Sequence, residues 1–194
     1  MTHVRTAVVI PVKSFTMAKG RLADTLTPAQ REDLARTCAE TVVHAASPLP
    51  AYVVCSDDVV ASWASSLGAH VVHCATPGLD VAVAAGRSTL AAEGFDHIIV
   101  AHADLPLAES LSHVAREGIV TMVTDRHSDG TNVLSFPIAS SFTTAYGPGS
   151  LDNHMRAAVT CGLVYEVIED ASLALDLDTA DDLSELERRR KEKP

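Results

Sequence analysis

Three cations, Lys13, Lys19 and Arg21, stand within nine residues of an otherwise acidic chain, in the stretch Lys13-Ser14-Phe15-Thr16-Met17-Ala18-Lys19-Gly20-Arg21. Such a loop can surround a triphosphate. Arg21 offers a planar fork of donors, the lysines offer compact charges, and Gly20 lets the backbone approach a ligand closely. The bland alternative is a solvated loop with scattered charges. The stretch is not a G-x-x-x-x-G-K-[ST] phosphate loop, and the dinucleotide pattern G-x-G-x-x-G is absent as well.

Carboxylates recur at the ends of apolar runs. Asp104 follows Val100-Ala101-His102-Ala103 and precedes Leu105-Pro106, where proline stiffens the backbone. That position suits a magnesium ligand, and equally a turn or helix-initiating aspartate. In Leu175-Asp176-Leu177-Asp178-Thr179, an extended backbone puts Asp176 and Asp178 on one face. Two like charges there repel unless a cation or donors sit between them. Magnesium fits, because it takes a few carboxylates together with phosphate oxygens and water; alternatively, one of the pair caps the last helix.

A fourth group joins Asp125-Arg126-His127-Ser128-Asp129-Gly130-Thr131-Asn132 to Tyr146-Gly147-Pro148-Gly149-Ser150. Free N–H groups and the dipole at a helix beginning near Ser150 make an anion site, to which Thr131 adds a hydroxyl. A hairpin turn and an ordinary helix cap explain the same residues. Pro77-Gly78-Leu79-Asp80 reads as a helix start with an early carboxylate matched to the dipole.

The elements that must position these groups follow from periodicity. Short β-branched runs alternate with Ala-rich stretches, the signature of βαβ units around a largely parallel sheet. Strands are predicted at Thr6–Val12, Ala51–Cys55, His70–His73, His97–Ala101, Ile119–Thr124, Val133–Phe136 and Val164–Ile168. Helices are predicted from Pro28, capped by Thr27 with Gln30 in a capping box, to about Ala46, and at Asp58–Leu67. Others run from Pro77-Gly78 to Glu93, over Ala108–Glu117, from a Ser150 cap to about Cys161, and from Ala180 to Lys191 behind Thr179. In open sheets of this kind, ligands sit beyond the carboxyl ends of the strands, where the loops above fall. No repeat or linker divides residues 1–194, so one α/β domain is expected: a mixed, mostly parallel, Rossmann-like sheet flanked by helices.

Composition narrows the function. A formal charge of −10 argues against a nucleic-acid binder, although one basic loop can still hold one nucleotide. No stretch reaches the roughly twenty apolar residues that span a bilayer, and the N-terminus lacks a signal-peptide pattern; a cytoplasmic protein with no membrane partner is expected. Cys38, Cys55, Cys74 and Cys161 show no metal-binding spacing and read as small buried apolar residues. Apolar residues left at the surface leave room for a homodimer.

Taken together, Pro11-Val12-Lys13, Ala18-Lys19-Gly20-Arg21-Leu22, Pro77-Gly78-Leu79-Asp80, Ala103-Asp104-Leu105-Pro106, Asp129-Gly130-Thr131-Asn132, Gly147-Pro148-Gly149-Ser150 and Asp176-Leu177-Asp178-Thr179 resemble one family. It is the CofC/FbiD group of 2-phospho-L-lactate or phosphoenolpyruvate guanylyltransferases of deazaflavin coenzyme (F-420) biosynthesis. The resemblance implies a glycosyltransferase-A-like nucleotidyltransferase fold, GTP as donor and Mg2+ as cofactor. By position it implies Thr131, Gly147 and Ser150 at the acceptor, and Asp104, Asp178 and Asp176 at the metal. Lys13, Lys19 and Arg21 would lie at the triphosphate, with Gly78, Leu79 and Asp80 at the nucleotide. The rival readings are a sugar or cytidylyl nucleotidyltransferase and a non-catalytic nucleotide-binding regulator.

Overall fold

The computed structural model describes residues 4–192. Strand β1 (Thr6–Pro11) is buried along most of its length, and its side chains divide between two cores. Val8 and Ile10 join one apolar cluster, Ala7 and Val9 the other. β2 (Ala51–Cys55) and β4 (His97–Ala101) split in the same alternating way, as period-two strands between two layers must. Helices α1 (Pro28–Ala45) and α2 (Asp58–Ser66) cover the first face, and α3 (Leu79–Ala92) and α4 (Ser150–Thr160) the second. Each fully buried Val or Ile contributes about 1.5–3 kcal/mol, so the central strands are the fixed frame.

One sheet of seven strands has the order β3-β2-β1-β4-β6-β5-β7, where β3 is His70–His73, β5 Val120–Thr124, β6 Thr131–Pro137 and β7 Tyr165–Ile168. The pairs β1–β2, β2–β3, β1–β4 and β5–β7 are parallel; β6 alone runs against its neighbours β4 and β5. An antiparallel strand begins where parallel neighbours end. Thr131, the first residue of β6, is thereby delivered to the same edge as the loops that follow β1 and β4.

Local signals hold where they are purely local. Thr27 caps α1: its hydroxyl accepts from Gln30 N at 3.3 Å while Gln30 Oε1 accepts from Thr27 N at 2.9 Å. Thr179 likewise caps α5 (Ala180–Glu192), with Asp182 Oδ2 accepting from Thr179 N at 2.7 Å. Gly86 is required by packing: a Cβ there would lie 2.7 Å from Val9 Cγ1, so its absence lets α3 settle on β1.

Two expectations are corrected. No helix forms over Ala108–Glu117; the chain there is irregular apart from a single 3-10 turn at Ser112–Val114. Leu105, Ala108, Leu111 and Val114 are buried at spacings of three, which imitates a helical stripe. The backbone instead crosses the sheet, with Leu111 N donating to Ala45 O at 2.9 Å. Nor does Ser150 cap α4. Gly149 is the N-cap, in the left-handed region at φ 67°, and the Ser150 hydroxyl accepts from Thr131 N at 3.0 Å. Among the described residues, no helix is long and apolar enough to cross a membrane.

Candidate functional site

The loop after β1 folds back across the end of β4. Lys19 adopts the left-handed conformation (φ 57°), uncommon for a residue with a Cβ, and the freedom expected of Gly20 is taken up here instead. Its side chain is buried, and Nζ donates to Asp104 Oδ2 at 2.9 Å. Asp104 Oδ1 is buried with no partner in the protein. Burial pushes the Asp104 carboxyl up, but the charge and hydrogen bond of Lys19, together with His102 and the backbone, hold it below the ordinary aspartate range.

The C-terminal segment returns to the same place. Leu177 N donates to Asp104 O at 3.0 Å. Leu173, Leu175 and Leu177 are buried in alternation, which turns Asp176 and Asp178 to the other face. Burial and the nearby Asp104 charge both push the Asp176 carboxyl up. Asp178 instead meets Arg21, whose Nη1 donates to its Oδ2 at 2.9 Å on the surface. Two of the predicted cations are thus each paired with a predicted metal-facing carboxylate, and Lys13 is exposed.

Among the described residues, no three His, Cys, Asp or Glu side chains are gathered closely enough to enclose an ion alone. The Asp104–Asp176 pair nevertheless fits a divalent ion. One oxygen is buried and unpartnered, and the neighbouring carboxyl is pushed toward its neutral form by burial and by like charge. An ion that takes few carboxylates and completes its shell with phosphate and water needs no more.

Beyond this pair lies a buried polar cluster. Thr131, Ser150 and His154 are all buried. Thr131 Oγ1 lies 3.0 Å from His154 Nδ1, and Ala145 N donates to His154 Nε2 at 3.0 Å. Burial lowers the His154 pKa to about 4. The start of α4 is partly satisfied already, since Asp129 Oδ2 accepts from Gly149 N at 3.2 Å and Asp129 O from Leu151 N at 3.1 Å. Gly147, at φ 127° and exposed, keeps an open backbone beside it.

Helix α3 ties the Pro77-Gly78 loop to this cluster. Gly78 is its N-cap and Leu79 its first residue, and Asp80 Oδ1 accepts from Tyr146 N at 3.2 Å. Two turns on, Arg87 donates to Ile138 O at 3.0 Å and Phe142 O at 2.6 Å, and also to Ser140 O. His154 was not legible in the sequence as part of this cluster. The one signal for His154 is its place on the Leu151–His154–Ala158 face that α4 buries, where a histidine among apolar positions needs partners.

A parallel sheet with one reversed strand and carboxylates at its carboxyl edge is the architecture of glycosyltransferase-A-type nucleotidyltransferases. Solved structures share that fold. A putative nucleotide-diphospho-sugar transferase from Desulfovibrio desulfuricans G20 matches with a TM-score of 0.78 at 14% identity, over 98% of this chain and 90% of that one. A nucleotidyl transferase from Methanothermobacter matches at 0.65 and 12% identity, over 99% and 100%. The chain belongs to the CofC-like guanylyl transferase family, whose model matches residues 6–190. Among similar proteins, the phosphoenolpyruvate guanylyltransferase of Rubrobacter xylanophilus is 35% identical over 188 residues, covering 92% of each chain. The 2-phospho-L-lactate guanylyltransferase of Methanothermobacter thermautotrophicus is 31% identical over 192 residues, covering 94% of this chain and 84% of its own. The protein is an enzyme of the guanylyltransferase kind.

Proposed function

We propose that residues 1–194 act as one domain that transfers GMP from GTP to phosphoenolpyruvate or 2-phospho-L-lactate and releases pyrophosphate, a step toward coenzyme F-420. The observation that carries this reading is the unpartnered, buried Asp104 Oδ1 between the basic loop and the Thr131–Ser150 hydroxyls. It marks a place for charge that the protein alone does not fill.

Asp104 and Asp176 would hold magnesium, which when bound neutralises and polarises phosphoryl oxygens. The protein's own groups do the rest. Lys19 fixes the Asp104 carboxylate through Oδ2 and keeps it ionised. Arg21 is exposed and can exchange Asp178 for a triphosphate oxygen, because a surface ion pair is worth only about 0–1 kcal/mol; the exchange frees Asp178 for the metal. Lys13 adds a further positive charge at the triphosphate. Gly78, Leu79 and Asp80 bring the start of α3 to the nucleotide, and Thr131, Ser150 and the Gly147 backbone hold the acceptor.

The reaction needs no general base. A phosphate oxygen of the acceptor is already largely ionised near neutral pH. It attacks the α-phosphorus of GTP in line; the new phosphate–phosphorus bond forms as the bond to the β-phosphate oxygen breaks, and pyrophosphate leaves with that electron pair. Catalysis rests on bringing two polyanions together and offsetting their charge. The test is mass spectrometry of the product made from GTP with phosphoenolpyruvate, 2-phospho-L-lactate and 3-phosphoglycerate in competition, repeated with the other three nucleoside triphosphates. A guanylylated phosphoenolpyruvate or phospholactate is expected. Transfer only from CTP, or GTP binding with no pyrophosphate release for any acceptor, would overturn the reading.

A further inference from the structure

His154 takes no part in the transfer above, yet both of its ring nitrogens are engaged inside the protein. Ala145 N donates to Nε2 at 3.0 Å, and Nδ1 lies 3.0 Å from Thr131 Oγ1. A backbone amide can only donate, so Nε2 carries no proton. A neutral imidazole then carries its proton on Nδ1, and Nδ1–H donates into the Thr131 hydroxyl. The Thr131 hydrogen is left over, with no other partner among the described residues. One step on, Thr131 N donates to Ser150 Oγ at 3.0 Å, and the Ser150 hydroxyl hydrogen is left over likewise. Because the relay begins at an amide, it cannot run in reverse.

We propose that His154 is a positioning residue that makes the Thr131 hydroxyl an obligate hydrogen-bond donor to an anionic oxygen of the acceptor. The inference rests on the placement of the acceptor at Thr131 proposed above. His154 has a packing role too: its ring lies edge-on to Tyr146 at 4.8 Å and tilted to Phe142 at 6.2 Å. His154→Phe keeps an aromatic ring there and removes both hydrogen bonds, and it separates the two roles.

The experiment compares the KM values for phosphoenolpyruvate and for GTP in His154→Phe, Thr131→Val and the double variant, with 15N NMR of the wild-type imidazole at pH 7. Each single change is expected to raise the acceptor KM about tenfold or more, the worth of a hydrogen bond to a charged oxygen, with the KM for GTP within about twofold. The double variant is expected to be no worse than Thr131→Val alone, as for two residues acting through one contact. NMR is expected to show Nδ1 protonated and Nε2 bare. Losses that multiply in the double variant, with Thr131→Val itself impaired, would overturn the role of His154 and leave the acceptor placement standing. An unchanged acceptor KM in Thr131→Val would remove that placement and the inference with it. An Nε2–H tautomer would overturn the inference without reference to activity, even where His154→Phe fails to fold.

Discussion

The two ends of β4 treat their polar residues in opposite ways. At the amino end, His97 is buried and its Nε2 meets Ser135 Oγ at 2.8 Å on the neighbouring β6. Burial lowers its pKa to about 4, so it is a neutral, partnered part of the core. At the carboxyl end, only a few residues on, His102 Nε2 and Asp104 Oδ1 are buried without partners, and so is Tyr146 OH, whose ring lies 5.4 Å from that of His102. A buried polar atom left unpaired costs about 1–3 kcal/mol. The strand satisfies its polar groups where they serve only the fold. It leaves them unsatisfied at the edge where a substrate would complete them.

The sharpest way to break this contrast is Asp104→Asn. Turnover should fall roughly a thousandfold or more, the scale of several kcal/mol of lost charge stabilisation, in a protein that still folds but melts at a lower temperature, because buried Lys19 loses its charged partner. Near-native rates at ordinary magnesium concentration would show that the carboxyl end is not special. Lys19→Ala comes next, with an expected loss of about 1–3 kcal/mol of transition-state stabilisation in kcat/KM, as for removal of one preorganised donor. A change under about twofold would place Lys19 outside the chemistry. Ser135→Ala probes the other end. It should cost about 1–3 kcal/mol of stability by urea unfolding, because it strands His97 Nε2, with kcat/KM unchanged.

The histidines also give a pH signature. His97 and His154 both titrate near 4 when folded, against about 6.5 when unfolded. Between those values the unfolded chain binds more protons, so their contribution to stability is lost as pH falls from about 6.5 to 4. A urea midpoint that rises on acidification through that window would contradict the burial of both rings. Arg21→Ala should have the smallest effect. Stability should change by less than about 1 kcal/mol, and any rise in the KM for GTP should shrink in high salt. A salt-independent effect would mean that this surface pair behaves like the buried Lys19–Asp104 pair.

What the sequence made legible was local chemistry. The Thr27–Gln30 capping box and the Thr179 cap act within one helical turn and need no tertiary information. The place of Asp104 at the end of a buried strand was legible because it follows an apolar run. The Ala108–Glu117 segment misled because every-third burial is shared by a helix and by an irregular crossover tied to the end of α1. Strand order was out of reach, since the placement of β6 beside β4 depends on pairings such as Ala101 with Val133 and His97 with Pro137, far apart in the chain. His154 stayed hidden for the same reason. Its partners Thr131 and Ala145 lie on other elements, and a lone histidine in an amphipathic helix gives no sign of them. The pairing of Lys19 with Asp104, rather than with open solvent, likewise spans 85 positions.

The return of the C-terminal segment to Asp104 has a consequence for how the enzyme is made. β7 ends at Ile168, so all seven strands have been synthesised before Asp176 leaves the ribosome. A prematurely terminated or clipped product could pair its whole sheet and still lack the second carboxylate, along with the leucines that seat it. Such fragments would be inactive rather than leaky catalysts, so the segment that carries Asp176 would serve as a check that synthesis has passed β7.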